Sequence, residues 1–176
     1  MDIRAEVEAF DGRRTASLES LAERLDPTET VLHELLDLAH LDDAKAQSAS
    51  TWLLKRVQED GHLFSTEDTG TLLSLLCDVS HWEARLHLLQ LLPGLSIPPE
   101  RVESVRRALD SDAFLKSPNK LVRAWSYNGI AILADQNPKL RPAVIGLLSA
   151  AQEGEAASVR ARVRAILKNM SWTRAD

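Results

Sequence analysis

The side chains best suited to binding chemistry in this 176-residue chain are basic residues near its end. Arg160, Arg162 and Arg164 alternate along one segment, and Lys168 follows them. Guanidinium groups bind phosphates and carboxylates through paired hydrogen bonds. The segment is therefore a candidate anion- or nucleic-acid-binding patch, because neutralising phosphates releases counterions. Arg174 adds one more base beyond it.

Bases also recur along the chain at a regular spacing. Four times, a small or β-branched apolar residue precedes a base, and these bases are 40, 38 and 37 residues apart: Lys45, Arg85, Arg123 and Arg160. A period in this range is typical of a stacked helical array. The four bases could meet an acidic partner or join one repeat to the next, and the logic of repeats favours the second role.

One tryptophan stands in a polar stripe. Counted from the residue before each base, helical offset 3 holds Gln47, His87, Trp125 and Arg162, and offset 6 is mostly polar. A tryptophan among hydrogen-bonding side chains is typical of a binding hot spot. The alternative is a ring half-buried against a neighbouring helix. The predicted partner-binding residues are Arg85, His87, Gln90, Arg123, Trp125, Tyr127 and Asn128.

Other chemistry finds little support. His33, Asp37 and His40 could hold zinc, but seven residues of helix separate the histidines by about 10.5 Å, too far for one compact site. Cys77 is the only cysteine, which excludes an internal disulfide, and its apolar neighbours predict a buried, inert thiol. No Ser-His-Asp set, phosphate loop or carboxylate pair can be defended. We expect no enzyme activity, no metal and no cofactor.

Helices must position these residues. Apolar residues recur at steps of three and four between Gly, Pro and Asp breaks, which predicts helix almost throughout. We expect one domain over residues 1–176, with a helical N-terminal cap over 1–28 and a tail over 171–176. Four helical hairpins are predicted between them, at 29–61, 66–95, 98–137 and 138–170.

The second helix of each hairpin has the same phase. Offsets 0, 4, 7 and 8 are mostly apolar or small in all four, so they share one helical face. We expect this face to be buried. Trp52 holds offset 8 in the first hairpin, where the others have Leu92, Ile130 and Leu167, and is predicted to be a core residue.

Two segments resemble a known family. LVRAWSYNGIAILA, at 121–134, and AVIGLLSAAQEGEAASVRARVRAIL, at 143–167, are similar to HEAT or armadillo repeats, whose inner helix begins with a valine-arginine pair. The resemblance implies an all-α, right-handed α-α superhelix of about four hairpins. It also implies an acid in each hairpin turn that bonds a neighbouring arginine. Asp43 and Glu83 occupy that position, whereas Leu121 and Ser158 do not.

Charge is distributed unevenly. Residues 1–118 hold 12 Lys or Arg against 22 Asp or Glu, and residues 119–176 hold 9 against 4. Such asymmetry could steer an anionic partner or order copies head to tail, although a pair of solvated faces is the favoured explanation. The first residues lack a leader's apolar run, no stretch is apolar over about 20 residues, and the lone cysteine suits a reducing compartment. We therefore expect a cytoplasmic protein without membrane contact.

Two functions follow as hypotheses. The first is a non-enzymatic scaffold or adaptor that binds a peptide or protein on its inner helices, as the resemblance implies. The alternative is a nucleic-acid-binding HEAT-like protein, similar to the helical-repeat DNA glycosylases, that uses the basic helix around Arg160, Arg162, Arg164 and Lys168. Self-association through the charge asymmetry is a third option.

Overall fold

The computed structural model describes residues 2–173 and is helical there, with ten α-helices and no strand in that range. The prediction of an all-α fold is confirmed. The chain divides between Leu95 and Ser96 into two compact units, which we call the N-terminal unit and the C-terminal unit. The single domain predicted from the sequence stays a prediction. Arg174 and the end of the predicted tail lie outside the described residues.

The N-terminal unit consists of two helical hairpins and two short additional helices. Its helices are α1 (Ile3–Glu8), α2 (Ala16–Arg24), α3 (Glu29–His40), α4 (Ala44–Glu59), α5 (Thr66–Asp78) and α6 (Trp82–Leu91). The hairpins are α3–α4 and α5–α6, and they stack so that α3 packs on α5 and α4 packs on α6. The short α1 packs on α3 and α4, and α2 packs on α4. The helix α4 therefore has neighbours on several sides.

The C-terminal unit has four α-helices. They are α7 (Val102–Leu109), α8 (Lys120–Gln136), α9 (Arg141–Gly154) and α10 (Ala157–Asn169). Here α7 packs on α8, α9 packs on α10, and the second helices α8 and α10 lie side by side. Short 3₁₀ turns stand at 92–94, 99–101, 138–140 and 171–173, three of them at prolines.

Side-chain caps start several of the helices. Asp43 Oδ1 accepts a hydrogen bond from the amide of Ala46 at 2.7 Å and caps α4. Ser65 and Asp68 form a reciprocal capping box at the start of α5. Asn119 Oδ1 accepts from the amide of Leu121 at 2.9 Å and caps α8. Each cap satisfies backbone donors that a helix leaves unpaired at its N-terminus.

The predicted buried face is present in three of the four second helices. Leu88, Ile130 and Val163 are at most 3% exposed, and almost all other positions of this face in α6, α8 and α10 are also buried. The first hairpin departs from the prediction. Ala44 is exposed, and Trp52 is half-buried instead of belonging fully to the core. Ala44 is the first residue of α4, and Trp52 lies where only the short α2 covers that flank.

The prediction of a buried thiol is wrong. Cys77 is exposed, although Leu75 and Leu76 just before it are buried. Successive residues in a helix are about 100° apart, so the side chain that follows two buried leucines turns out of the core. The leucines next to Cys77 in the sequence therefore do not bury its thiol.

The helices were also assessed as membrane spans. Within residues 2–173, none combines the length and the apolar character needed to cross a bilayer.

Candidate functional site

Two of the predicted binding residues of α8 form hydrogen bonds inside the C-terminal unit. Arg123 Nη1 donates to the carbonyl of Ser117 at 2.6 Å, and its Nε donates to Glu155 Oε2 at 3.3 Å. The Tyr127 hydroxyl donates to the other carboxylate oxygen, Glu155 Oε1, at 3.1 Å. The Arg123 and Glu155 side chains are only 19% and 17% exposed. This cluster, the Glu155 cluster, ties α8 to the turn before α10.

The electrostatics of the cluster suit a structural role. Burial, followed by the negative charge of Glu155, raises the pKa of Tyr127 to about 12. The phenol therefore stays protonated and donates its hydrogen bond throughout the ordinary pH range. Arg123 supplies the positive charge that a largely buried carboxylate needs.

Sequence reasoning missed Glu155. The expected acid belongs directly before the valine-arginine pair, where this chain has Ser158. The carboxylate instead stands three residues earlier, at the C-terminal end of α9, and still reaches Arg123. A search for any acid within the turn, and not at one fixed position, would have found it.

Two of the four recurring bases form the same kind of hydrogen bond, to a backbone carbonyl six residues earlier. In α6, Arg85 Nε donates to the carbonyl of Val79 at 3.1 Å, six residues back, just as Arg123 reaches back six residues to Ser117. Burial lowers the pKa of Arg85. By contrast, Lys45 is exposed and Arg160 is half-buried. The arginines of α6 and α8 thus close the turn before their own helix.

The polar stripe of the N-terminal unit lies largely between helices. Gln47 is 3% exposed: its Oε1 accepts from the amides of Ser80 and His81, and its Nε2 donates to the carbonyl of Leu41. Burial, together with the nearby Lys55, lowers the pKa of His87 to about 4, so the ring is neutral at pH 7.

Two further bonds join α4 and α6 along the same line. His87 Nδ1 lies 3.0 Å from Thr51 Oγ1, and Ser48 Oγ donates to Glu83 Oε2 at 2.7 Å. Together with Gln47 they form a continuous polar seam, which we call the α4–α6 seam. The predicted binding residue His87 belongs to it, and Gln90 is half-buried farther along α6.

The remaining predicted residues bring an aromatic ring and a base together on the surface. The Arg162 guanidinium carbon lies 4.1 Å from the centre of the half-buried Trp125 ring. At this distance the cation is attracted to the face of the ring. Both residues hold offset 3 of their helices, so the shared phase of α8 and α10 places them level with each other. Asn128 is half-buried one turn farther along α8.

A groove of about 310 Å³ surrounds this pair, and we call it the Trp125 groove. Its lining comes only from α8 and α10: Lys120, Leu121, Ala124, Trp125, Ser158, Ala161, Arg162 and Ala165. Leu121 is 53% exposed, which is unusual for a large apolar side chain. An apolar floor with two bases at its edge can accept an apolar side chain next to a negative charge.

The four basic residues of α10 do not share one face. At 100° per residue, Arg160 and Arg164 lie 40° apart, whereas Arg162 lies about 160° from Arg164. Arg164 and Lys168 are exposed, and Arg160 is half-buried. Arg162 therefore belongs to the Trp125 groove, and the other three bases line a different side of the helix.

The histidines pair with separate carboxylates. His33 Nε2 lies 3.5 Å from Asp68 Oδ1, and His40 Nε2 lies 3.9 Å from Asp78 Oδ2. Among residues 2–173, no three His, Cys, Asp or Glu side chains lie close enough to hold a metal ion.

Comparisons with known proteins add no family to this description. No family model matches the chain, and searches of curated proteins and of solved structures found no significant match. A function must therefore be inferred from the residues themselves, above all from the Trp125 groove.

Proposed function

We propose that this protein is a non-enzymatic interaction module of HEAT-like helical hairpins that binds a polypeptide segment in the Trp125 groove. The observation that carries the proposal is the half-buried Trp125 ring, with the Arg162 guanidinium against its face and Leu121 exposed in the same groove. Tryptophan and arginine are the side chains most enriched among the residues that dominate binding energy at protein interfaces.

The arrangement of the helices supports the HEAT-like part of the proposal. In each unit the second helices of the two hairpins lie side by side, α4 with α6 and α8 with α10. The bases that begin these helices recur every 37 to 40 residues. Stacked hairpins of this kind present their inner helices as a continuous surface for partners. The fold alone names no partner, so the chemistry of the groove has to supply it.

The composition of the groove points to an acidic segment with a protruding apolar residue. Its lining includes the bases Lys120 and Arg162 and no acid. Leu121 and Trp125 offer apolar surface, and burial of an apolar side chain there would be favourable in proportion to the area removed from water. A carboxylate beside that side chain would pair with Arg162, which can donate two parallel hydrogen bonds.

The geometry favours a polypeptide over a nucleic acid. Phosphate binding needs several bases on one continuous surface, because affinity grows with the number of phosphates neutralised. On α10 only Arg160, Arg164 and Lys168 share a side, and Arg162 is directed at Trp125 instead. The Trp125 ring of α8 and the three remaining bases of α10 therefore belong to two different surfaces.

The test is quantitative affinity capture from the native organism with the full chain and two matched variants. Trp125→Ala removes the ring from the groove, whereas Trp82→Ala removes a tryptophan that is 39% exposed in the N-terminal unit. We expect at least one acidic partner whose recovery falls about tenfold or more with Trp125→Ala and is unchanged with Trp82→Ala, as for a binding hot spot worth more than 1.4 kcal/mol.

A second variant separates a loss of binding from a loss of stability. Leu121→Glu changes an exposed side chain and should leave the melting temperature nearly unchanged, yet it places a negative charge on the apolar floor, which would repel an acidic segment, and should abolish the same capture. Equal recovery with all variants would contradict the proposal. A mobility shift of DNA or RNA at about 50 mM salt that Arg164→Ala weakens and Trp125→Ala does not would establish the nucleic-acid alternative instead.

A further inference from the structure

A second pocket, of about 520 Å³, lies in the N-terminal unit and has the opposite chemistry. It is formed by the start of α3, the turn after α4 and the start of α5. Its lining residues are Pro27, Glu29, Leu32, His33, His62, Leu63, Ser65, Thr66, Glu67 and Asp68. They include three carboxylates and no lysine or arginine. We call it the Asp68 pocket.

The pocket contains a buried carboxylate oxygen without a hydrogen-bond donor. Asp68 is only 6% exposed. Its Oδ2 accepts from the amide and the hydroxyl of Ser65, at 3.3 and 2.6 Å, within the capping box. Its Oδ1 is buried and accepts no hydrogen bond from any described residue. Buried polar atoms are nearly always paired in folded proteins, and this oxygen has unused capacity to accept a hydrogen bond.

The closest polar group is an imidazole. His33 Nε2 lies 3.5 Å from Asp68 Oδ1, longer than an ordinary hydrogen bond, and the His33 side chain is 45% exposed. The ring is open to a donor that enters the pocket, whereas the buried oxygen becomes open to that donor when the His33 ring moves aside. His62 is held edge-on against Phe64, with the ring centres 5.4 Å apart.

An exposed leucine stands at the same pocket. Leu63 is 84% exposed, in the turn after α4, and Leu32 and Pro27 add apolar surface to the lining. Gly61, with φ of +97°, sets the course of this turn. A ligand that carries an alkyl chain ahead of a charged group would cover these residues while its charge reaches Asp68.

We infer that the Asp68 pocket binds a lysine side chain of a partner polypeptide. The four-carbon stem would pack on Leu63 and Leu32, and the ammonium group would donate to Asp68 Oδ1. Lysine is favoured over arginine because a guanidinium binds a carboxylate best through both oxygens, and Oδ2 is already occupied by Ser65. Glu29 and Glu67 at the edge of the pocket would add attraction for the positive charge. This inference is independent of the Trp125 groove.

The test uses two small probes that differ only in the charged group. Nα-acetyl-lysine methylamide and Nα-acetyl-norleucine methylamide are titrated into the full chain, and the NMR signals of the histidine rings are followed. We expect saturable binding of the lysine compound, with shifts at His33 and His62. The norleucine compound should bind about tenfold or more weakly, since it leaves the carboxylate without its donor.

Variants assign the binding to the pocket. Asp68→Asn keeps an oxygen that can accept from Ser65, and we expect it to weaken lysine binding about tenfold or more, while Leu63→Ser weakens it several-fold. Asp112→Asn removes an exposed carboxylate of the C-terminal unit, paired there with Lys116, and serves as the matched control, which should bind like the wild type.

Four outcomes would overturn the inference. The first is equal binding of the two probes, and the second is tighter binding of Nα-acetyl-arginine methylamide than of the lysine compound. The third is unchanged lysine binding in a folded Asp68→Asn variant. The fourth is the absence of saturable binding to the wild type. If Asp68→Asn fails to fold, unchanged lysine binding by Leu63→Ser, at a residue exposed on the surface, has the same consequence.

Discussion

The two units use the same helical phase for opposite purposes. In the N-terminal unit, which holds 18 Asp or Glu and 8 Lys or Arg, offset 3 of α4 is Gln47, a buried side chain with four hydrogen bonds. In the C-terminal unit, which holds 8 acids and 13 bases, offset 3 of α8 is Trp125, a half-buried ring. Equivalent positions thus became a structural seam in one unit and an open groove in the other.

The surroundings of each helix account for the difference. The helix α4 packs against α1, α2, α3 and α6, so its polar flank is enclosed and each polar group there needs a partner. Around α8, the polar link to the α10 side is concentrated in the Glu155 cluster, which leaves Trp125 and Leu121 accessible. The phase of a helix determines which side chains are level with each other, and the packed neighbours determine whether those side chains meet water.

The largest effect should come from breaking the α4–α6 seam. Gln47→Ala leaves the amides of Ser80 and His81 and the carbonyl of Leu41 without their partner, and we expect it to lower the free energy of unfolding by about 3–4 kcal/mol. Urea unfolding of the full chain measures this change. The exposed Gln152→Ala should stay within about 0.5 kcal/mol of the wild type. A similar small loss for Gln47→Ala would remove the contrast between the units.

The next effect concerns the pH dependence of the same seam. The pKa of His87 is lowered from 6.5 to about 4, so the unfolded chain binds more protons than the folded chain between these pH values. His87 should therefore cost the protein about 2 kcal/mol of stability as the pH falls from 6.5 to 4, and none of this cost is present above pH 7. Urea unfolding at several pH values measures it. His87→Gln should show a shallower loss over this window, and an identical slope would contradict the prediction.

The smallest of the three effects concerns the Glu155 cluster. Glu155→Gln removes the charge that helps raise the pKa of Tyr127, so this pKa should fall from about 12 towards 10 while burial keeps it above the ordinary value. The stability should fall by about 1–2 kcal/mol as the pair with Arg123 is lost. Tyr127 is the only tyrosine, so near-ultraviolet absorbance of the tyrosinate follows it directly.

The neighbouring Glu153→Gln is the matched control, because Glu153 is exposed. It should leave the Tyr127 titration and the free energy of unfolding unchanged. If Glu155→Gln behaves like this control, the carboxylate does not hold α8 to the turn before α10, and the C-terminal unit relies on apolar packing alone.

Local signals predicted most of the helices. The capping box of Ser65 and Asp68, the Asp43 cap and the proline near the start of α9 mark helix starts through bonds within a few residues, which a sequence displays directly. The shared phase of the second helices also placed Trp125 level with Arg162. These features depend on helical geometry, which is the same in every helix.

Features that depend on distant neighbours could not be predicted. The helical pattern puts Gln47 in a polar stripe away from the buried face, yet Gln47 is buried because α1, α2, α3 and α6 pack around α4. Trp52 was placed in the core, yet its flank is only partly covered. Glu155 was missed because a turn can deliver a carboxylate from more than one position. In each instance the deciding contact joins residues that are far apart along the chain, or lies in a turn without a fixed register.

The stacking of Arg162 on Trp125 also has a consequence for the order in which the chain is made. The ring belongs to α8 and the guanidinium to α10, so a ribosome must synthesise some forty residues after the tryptophan before the base can cover it. Until then, the face of the indole that Arg162 covers and the part of α8 that packs on α10 remain exposed to solvent. The binding proposed for the Trp125 groove therefore requires that α10 has docked on α8, because α10 supplies half of the lining of the groove.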